Sequence, residues 1–358
     1  MTRVHVGFMI GGYTPAEGEV LMKRMLVTLG LVGWAAFALQ AQSGQYQMIT
    51  DIAIGGDGGW DYLNVDSAAK RLYVSHATIA VVVDMATNKK IGEIADTPGI
   101  HGAIAGIPGR IFTSNGREDK VSIVDDKTLQ TVSKVATQGN PDFIMYEPKR
   151  KEVYAFNGRG QSASVIDATS GMVVATIALG GKPEAGVPDV AAGRVYVNVE
   201  DKSTVAVIDV ATHTVVANWP IAPGEEASGL AIDTKNHRLF IGATNKFMLM
   251  MDSTNGAIVA QVPIGAGVDS TWFDPGTGNA FSSCGDGTVT IAHEDSPAKL
   301  TVVQTLKTTA GARTMALDPA THRIYLAAAQ LGPVPAGGGR APLLPNSMHI
   351  LVYGVDGK

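Results

Sequence analysis

Along most of the chain, runs of four to six β-branched, aliphatic and aromatic residues alternate with short turns rich in Gly, Asp, Asn and Pro. Runs of that length, bounded by turn formers, predict strands. Seven runs carry one aromatic residue each: Arg71-Leu72-Tyr73-Val74, Arg110-Ile111-Phe112-Thr113, Glu152-Val153-Tyr154-Ala155, Arg194-Val195-Tyr196-Val197, Arg238-Leu239-Phe240-Ile241, Asn279-Ala280-Phe281-Ser282 and Arg323-Ile324-Tyr325-Leu326. The steps from one aromatic to the next are 39, 42, 42, 44, 41 and 44 residues. Such even spacing marks an internal repeat.

Two further marks recur in most of the units. Seven residues before the aromatic stands Asp66, Glu147, Asp233, Asp274 or Asp318, followed by a turn. A carboxylate there accepts hydrogen bonds from the turn backbone, so a hairpin is predicted. Beyond the aromatic comes a strand ending in aspartate, as in Ile166-Asp167 and Ile208-Asp209, and then a fourth strand such as Met172–Ile177. Each unit therefore reads as four short antiparallel strands. One such sheet cannot bury both faces alone, but seven stacked around an axis can. The fold class predicted is all-β, a seven-bladed β-propeller of four-stranded antiparallel blades over residues 46–354. The last repeat runs out before its fourth strand, and Asp51-Ile52-Ala53-Ile54-Gly55-Gly56 matches the end of one. Residues 46–54 are expected to complete the last blade and close the ring, hiding edges that invite aggregation.

These repeats resemble the YVTN β-propeller family, through Tyr73-Val74-Ser75-His76, Tyr196-Val197-Asn198 and the Val-x-Val-Ile-Asp and Val-Val-Ala-x-Ile strands that follow. The resemblance runs from residue 46 to 353. It implies a seven-bladed propeller with functional sites at the mouth of the central channel, in a family whose members are mostly exported bacterial proteins. Some similar proteins bind nucleic acid, and related propellers include lactonases.

Composition changes the picture in four places. Residues 25–39 hold no charge, follow Lys23 and Arg24, and precede Ala41. That is a basic segment, an apolar core and a small residue for cleavage, so residues 22–41 read as a signal peptide. Residues 1–21 fit no such pattern and read as a spurious extension, with Met22 the expected start. A periplasmic or secreted protein is expected, with no membrane span in the mature chain. The formal net charge of −5 gives no general attraction to nucleic acid. A single cysteine, Cys284, excludes an internal disulfide and a thiolate cluster. The Pro- and Gly-rich residues 331–346 read as a loop inserted in the last blade.

In a propeller the innermost strand of each repeat points into the channel. Twelve residues before each aromatic stand Asp61, Ile100 (with His101 next), Asp142, Glu184, Ser228, Asp269 and Arg313. If these ring one mouth, carboxylates with an imidazole suit a divalent metal or acid–base work on a small ligand. A divalent metal is possible at Asp61, Asp142, Glu184 and Asp269, and the cofactor is otherwise unknown from the sequence. The bland alternative is that the acids cap turns or stand solvated at the rim. The loops after the aromatic strands carry His76, Asn115, Arg117, Asn157 and Arg159, a candidate collar for a polar ligand or else ordinary solvated loops. Gly-x-Ser-x-Gly, His-Glu-x-x-His and Cys-x-x-Cys-His are absent from the sequence, against serine hydrolase, zincin and c-type haem readings.

Three functions stay open. The first is an exported, non-catalytic, monomeric protein that binds a small molecule or protein at the channel mouth. The second is a metal-assisted hydrolase of lactonase type. The third is a binder of single-stranded nucleic acid, stacking bases on Trp60, which the acidic mouth and negative charge disfavour.

Overall fold

The computed structural model describes residues 44–355 except 336 and 340, together with Met1, Thr2, His5 and Gly7. The proposed signal peptide lies outside the described residues, as does most of the preceding extension. Residues from Gln45 onward form one compact unit. It consists of seven four-stranded antiparallel sheets arranged as the blades of a propeller. Blade three is representative. Its strands run inner to outer as Pro141–Glu147, Glu152–Asn157, Ser162–Asp167 and Val173–Ala178. Among the described residues, no helix is long and apolar enough to cross a membrane.

The repeat aromatics explain why the repeat exists. All seven are at most 2 % exposed, and each packs toward the following blade. Tyr154 of blade three lies with Val195 and Val197 of blade four. Phe240 of blade five stacks on Phe273 of blade six, ring centres 4.8 Å apart. Tyr325 of blade seven clusters with Leu63 and Leu72 of blade one. A buried aromatic of this size supplies roughly 2–3 kcal/mol of apolar burial, so the series fastens each sheet to its neighbour. The second strands are buried on both faces, as Glu152–Asn157 is along its whole length. The outer strands are half exposed, and Thr214–Pro220 alternates strictly.

The carboxylates that mark the hairpins act as the sequence predicts. Asp66, Glu147, Asp233, Asp274 and Asp318 each accept backbone N–H groups of the following turn. Asp189 does the same in blade four, donated to by Ala192 at 2.9 Å. At the ends of the third strands, Asp84, Asp125, Asp167, Asp209 and Asp252 hold turns in the same way. The sequence around Ser283-Cys284-Gly285-Asp286-Gly287 reads as a turn, but Cys284 itself ends the second strand of blade six and is buried, and burial pushes its thiol up to about 12. Its side chain joins the core between blades five and six, and Gly285-Asp286-Gly287 makes the turn.

Ring closure follows the expected route. Tyr46–Ala53 pairs antiparallel with His349–Val355 as the outer strand of blade seven. It buries Tyr46 and Ile52 and leaves the intervening residues largely exposed. Residues 331–346 join the second and third strands of this blade; Leu331 and Leu343 form an isolated bridge across the loop. Asn346 reaches the Gly-rich segment before blade one, its Oδ1 accepting Gly56 N–H at 3.1 Å.

Candidate ligand site at the channel mouth

The inner strands start at one end of the channel, and there the sequence-predicted ring divides into three groups. Asp61, His101 and Asp142, from blades one, two and three, come together. His101 Nδ1 lies 2.6 Å from Asp61 Oδ2 and 3.3 Å from Asp142 Oδ1. One ligating atom from each falls within 4.8 Å of the others. Glu184 of blade four is held by Lys182 at 2.5 Å and accepts the Tyr62 hydroxyl at 3.1 Å. Lys182 also bonds Glu200 at 2.6 Å. Asp269 of blade six faces the Arg313 guanidinium at 3.7 Å.

The backbone under these side chains is fixed by a polar residue two positions after the repeat aromatic. Ser114 Oγ donates to the carbonyl of Asp142 at 2.6 Å. Asn198 Nδ2 donates to the carbonyl of Ser228 at 3.0 Å, and Ser283 Oγ to that of Arg313. In blade one, Ser75 Oγ instead accepts Asp61 N–H at 2.7 Å. Blade five has Gly242 at the equivalent place, and Ser228 Oγ takes over, donating to the Asp269 carbonyl at 3.1 Å. The strand motif therefore builds the mouth as well as the core.

Crowded carboxylates in a partly desolvated mouth hold their protons more tightly. Burial pushes Asp269 up to about 6 against the pull of Arg313. Burial also raises Asp142, opposed by the His101 charge and reinforced by Asp61 and Glu184. It raises Glu184 too, although Lys182 works the other way. For His101 burial acts downward, but the Asp61 hydrogen bond and the Asp142 and Asp61 charges overcome it and keep the ring protonated above the ordinary imidazole range.

Below the mouth the inner strands enclose a cavity of about 460 Å³, running from Tyr62 and Asp269 to Asp66 and Ser67 at their far ends. Its wall is mainly apolar, with Ile104, Phe143, Val187, Leu230, Trp272 and Met315. Tyr62 meets Phe143 edge to face at 4.9 Å between ring centres, while its hydroxyl reaches up to Glu184. Sequence reasoning missed Tyr62, Phe143, Lys182 and Glu200, although Tyr62 and Phe143 adjoin positions of the ring.

The loop residues do not form a collar. Asn115 is buried within blade two, donating to Glu118 and Ser122. Asn157 is buried in blade three, donating to Ser162 and Ser164. Both close their own hairpins because an amide there satisfies strand-end polar groups. His76 is buried beneath Gly56 in a separate small cleft with Asp57, Lys90 and Glu93, and burial lowers its pKa. Arg117 is exposed. Arg159 is exposed and donates to Asp119 at 2.7 Å. Trp272 donates Nε1–H to the Met315 carbonyl at 2.7 Å and so links blades six and seven. Trp60 is half-buried against the cluster between blades seven and one.

With this geometry in hand, the chain can be compared with known proteins. Its fold is similar to that of a chain in Kuenenia stuttgartiensis hydrazine synthase, with a TM-score of 0.69 and 16% identity over 76% of this chain and 94% of that one. It is also similar to a chain in the crystal structure of the mitotic checkpoint complex, with a TM-score of 0.71 and 13% identity over 89% and 96%. At such identities the likeness is one of fold. No protein-family model matches the chain, and no curated protein matches it in sequence.

Proposed function

We propose that this chain is an exported propeller of the YVTN-repeat type that binds a small, positively charged ligand at the channel mouth, without catalysis. The observation carrying this reading is the imbalance of the mouth. Five carboxylates, Asp61, Asp142, Glu184, Glu200 and Asp269, face Lys182, Arg313 and a protonated His101. Asp142, Glu184 and Asp269, raised by burial and by neighbouring carboxylates, are stabilised in their charged form when a further cation enters. The apolar shaft below Tyr62 offers room for an uncharged portion of the same ligand. The YVTN assignment rests on the repeat motifs, and export rests on the apolar segment after Lys23 and Arg24.

Titration calorimetry in chelator-containing buffer, against a panel of diamines, guanidinium compounds and quaternary ammonium compounds, tests the reading. Micromolar binding that fails in Asp61→Asn/Asp142→Asn is the expected result. A panel without binders, or binding indifferent to that substitution, counts against it.

A second reading, metal-assisted hydrolysis of lactone type, is favoured by the convergence of two carboxylates and an imidazole from three blades. Lactone turnover by the metal-supplemented protein, lost on His101→Asn, is the result it requires.

A further inference from the structure

We propose that Asp61, His101 and Asp142 form a binding site for one first-row divalent metal ion, with Zn²⁺ as its best probe. The inference rests on the reading of the mouth as a cation site and names a particular cation for it. The three donors come from three blades, so the ring geometry itself brings them within 4.8 Å. One imidazole nitrogen with two carboxylates selects borderline divalent ions over Ca²⁺ and Mg²⁺, which take all-oxygen sets.

Two observations lift this group above an ordinary acidic cluster. Asp142 is only 9 % exposed. The charge that meets its carboxylate is that of His101, with Nδ1 at 3.3 Å. A buried carboxylate is costly unless a cation meets it, so a metal ion entering here takes over the place of the imidazolium proton between the two carboxylates.

The second observation is the orientation of His101. Asn140 Oδ1 and His101 Nε2 converge on one spot beside Gly116, 2.6 and 2.5 Å from where a Cβ would stand. The backbone of Asn140 is in turn fixed by Asp119, which accepts its N–H at 2.7 Å. With Nε2 facing the Asn140 amide, Nδ1 is directed at the two carboxylates. Histidine ligands are typically oriented in this way, through a hydrogen bond from the other ring nitrogen.

Without metal, a proton on Nδ1 bridges Asp61 and Asp142. On binding, that proton leaves to solvent and the nitrogen lone pair takes the ion. Donors about 2.0–2.2 Å from a zinc ion stand farther apart than the 2.6 Å between Nδ1 and Asp61 Oδ2. Asp61, which is partly exposed, swings outward to admit the ion. Three protein ligands leave a coordination position facing the mouth.

The test is calorimetry of chelator-stripped, full-length protein against Zn²⁺. One equivalent is expected to bind, undisturbed by millimolar Ca²⁺. His101→Asn and Asp142→Asn are each expected to weaken binding about a hundredfold or more, and Asn140→Ala about tenfold. His293→Asn, which alters the exposed pair His293–Asp295, is expected to change nothing. Should a variant fail to fold, side-chain ¹⁵N spectra of the unaltered protein decide the matter: the Nδ1 resonance of a single histidine shifts on metal addition. Absence of binding below millimolar Zn²⁺, full affinity in Asp142→Asn, or shifts confined to exposed histidines overturns the proposal. Organic cations that bind where Zn²⁺ does not overturn the metal site and leave the cation-binding mouth standing. Zn²⁺ binding without organic cations does the reverse to the ligand class.

Discussion

The side-chain amide of Gln304 pairs with the backbone of Tyr46 in both directions: Oε1 accepts Tyr46 N–H, and Nε2 donates to the Tyr46 carbonyl, each at 2.8 Å. The outer edge of blade six thereby grips the first residue of the strand that closes blade seven. Tyr46 adds a hydroxyl bond to the His322 carbonyl at 2.7 Å and an edge contact with Phe281. Removing residues 46–54 exposes the edge of His349–Val355 and the clusters beneath Tyr46 and Ile52. A loss of several kcal/mol is expected, a large part of a typical margin of about 5–15 kcal/mol. Gln304→Ala is expected to cost about 1–2 kcal/mol. Chemical denaturation of both variants checks this; an unchanged midpoint for the truncation denies the strand its closing role.

Gly116 stands where His101 Nε2 and Asn140 Oδ1 meet, and a Cβ there would lie within 2.6 Å of both. Gly116→Ala must therefore push the imidazole away from Asn140 and out of line with Asp61 and Asp142. Cation binding at the mouth is expected to fall at least tenfold, with the circular dichroism spectrum unchanged. Unaltered affinity means that the orientation of His101 does not matter to the site.

Most of the fold was legible in the chain because its determinants are local. The aromatic spacing states one contact that repeats seven times, the turn carboxylates one that recurs in six blades, and the missing fourth strand one pairing that closes the ring. The site was legible only by register. The position twelve residues before each aromatic located Asp61, Asp142, Glu184, Asp269 and Arg313 at one mouth. Which of them meet depends on side-chain reach between blades, and no repeat pattern encodes that. His101 is one residue off the twelve-residue count and still enters the ring, because the blade-two hairpin is one residue shorter: Ile104 lies opposite Phe112, whereas Met145 lies opposite Tyr154 in blade three. Asn115 and Asn157 misled the collar reading because a strand-end amide looks the same in sequence whether it turns inward or toward solvent.

Export has a direct chemical readout. If residues 22–41 are a signal peptide cleaved after Ala41, protein recovered from the periplasm or culture fluid begins at Gln42. N-terminal sequencing of native material checks this. Residues 1–21 found intact on the exported protein would be incompatible with it.

On the opposite face, Glu294 of blade six is buried beside Asp233 of blade five, with Asn236 and Arg238 nearby. Burial, then the hydrogen bond and charge of Asp233, push Glu294 up to about 7 from an ordinary 4.5. The folded state thus binds more protons than the unfolded chain between those values, and stability falls as pH rises through about 7. The turn aspartates Asp84, Asp125, Asp167 and Asp209 act oppositely: their turn hydrogen bonds lower them, so their contribution is lost as pH drops below the usual carboxylate range. Maximum stability is expected near pH 4.5, above the range where the turn aspartates lose their contribution and below the window in which Glu294 gives up its extra proton. Glu294→Gln is expected to gain roughly 1–3 kcal/mol at pH 8, with the gain gone near pH 4.5. Melting curves across that range check both signs; a gain independent of pH assigns the effect to packing.

Lys182 offers the sharpest separation between a structural mouth and a binding one. Its ammonium bridges Glu184 and Glu200, and although burial works against the charge, those two carboxylates hold it above its ordinary value. If the ring exists only to close the propeller, Lys182→Gln removes an ion pair and weakens the fold, with nothing gained elsewhere. If the mouth binds cations, the same change frees two carboxylates at the site and removes a like charge that repels the ligand. Affinity for an organic cation is then expected to rise several-fold while the melting temperature falls by a few degrees. The rise should shrink as salt is added, because the partly exposed charges are screened over about 10 Å at 0.1 M ionic strength. Calorimetry at two salt concentrations reads both effects, and a fall in affinity that tracks the fall in stability would leave the mouth a structural feature.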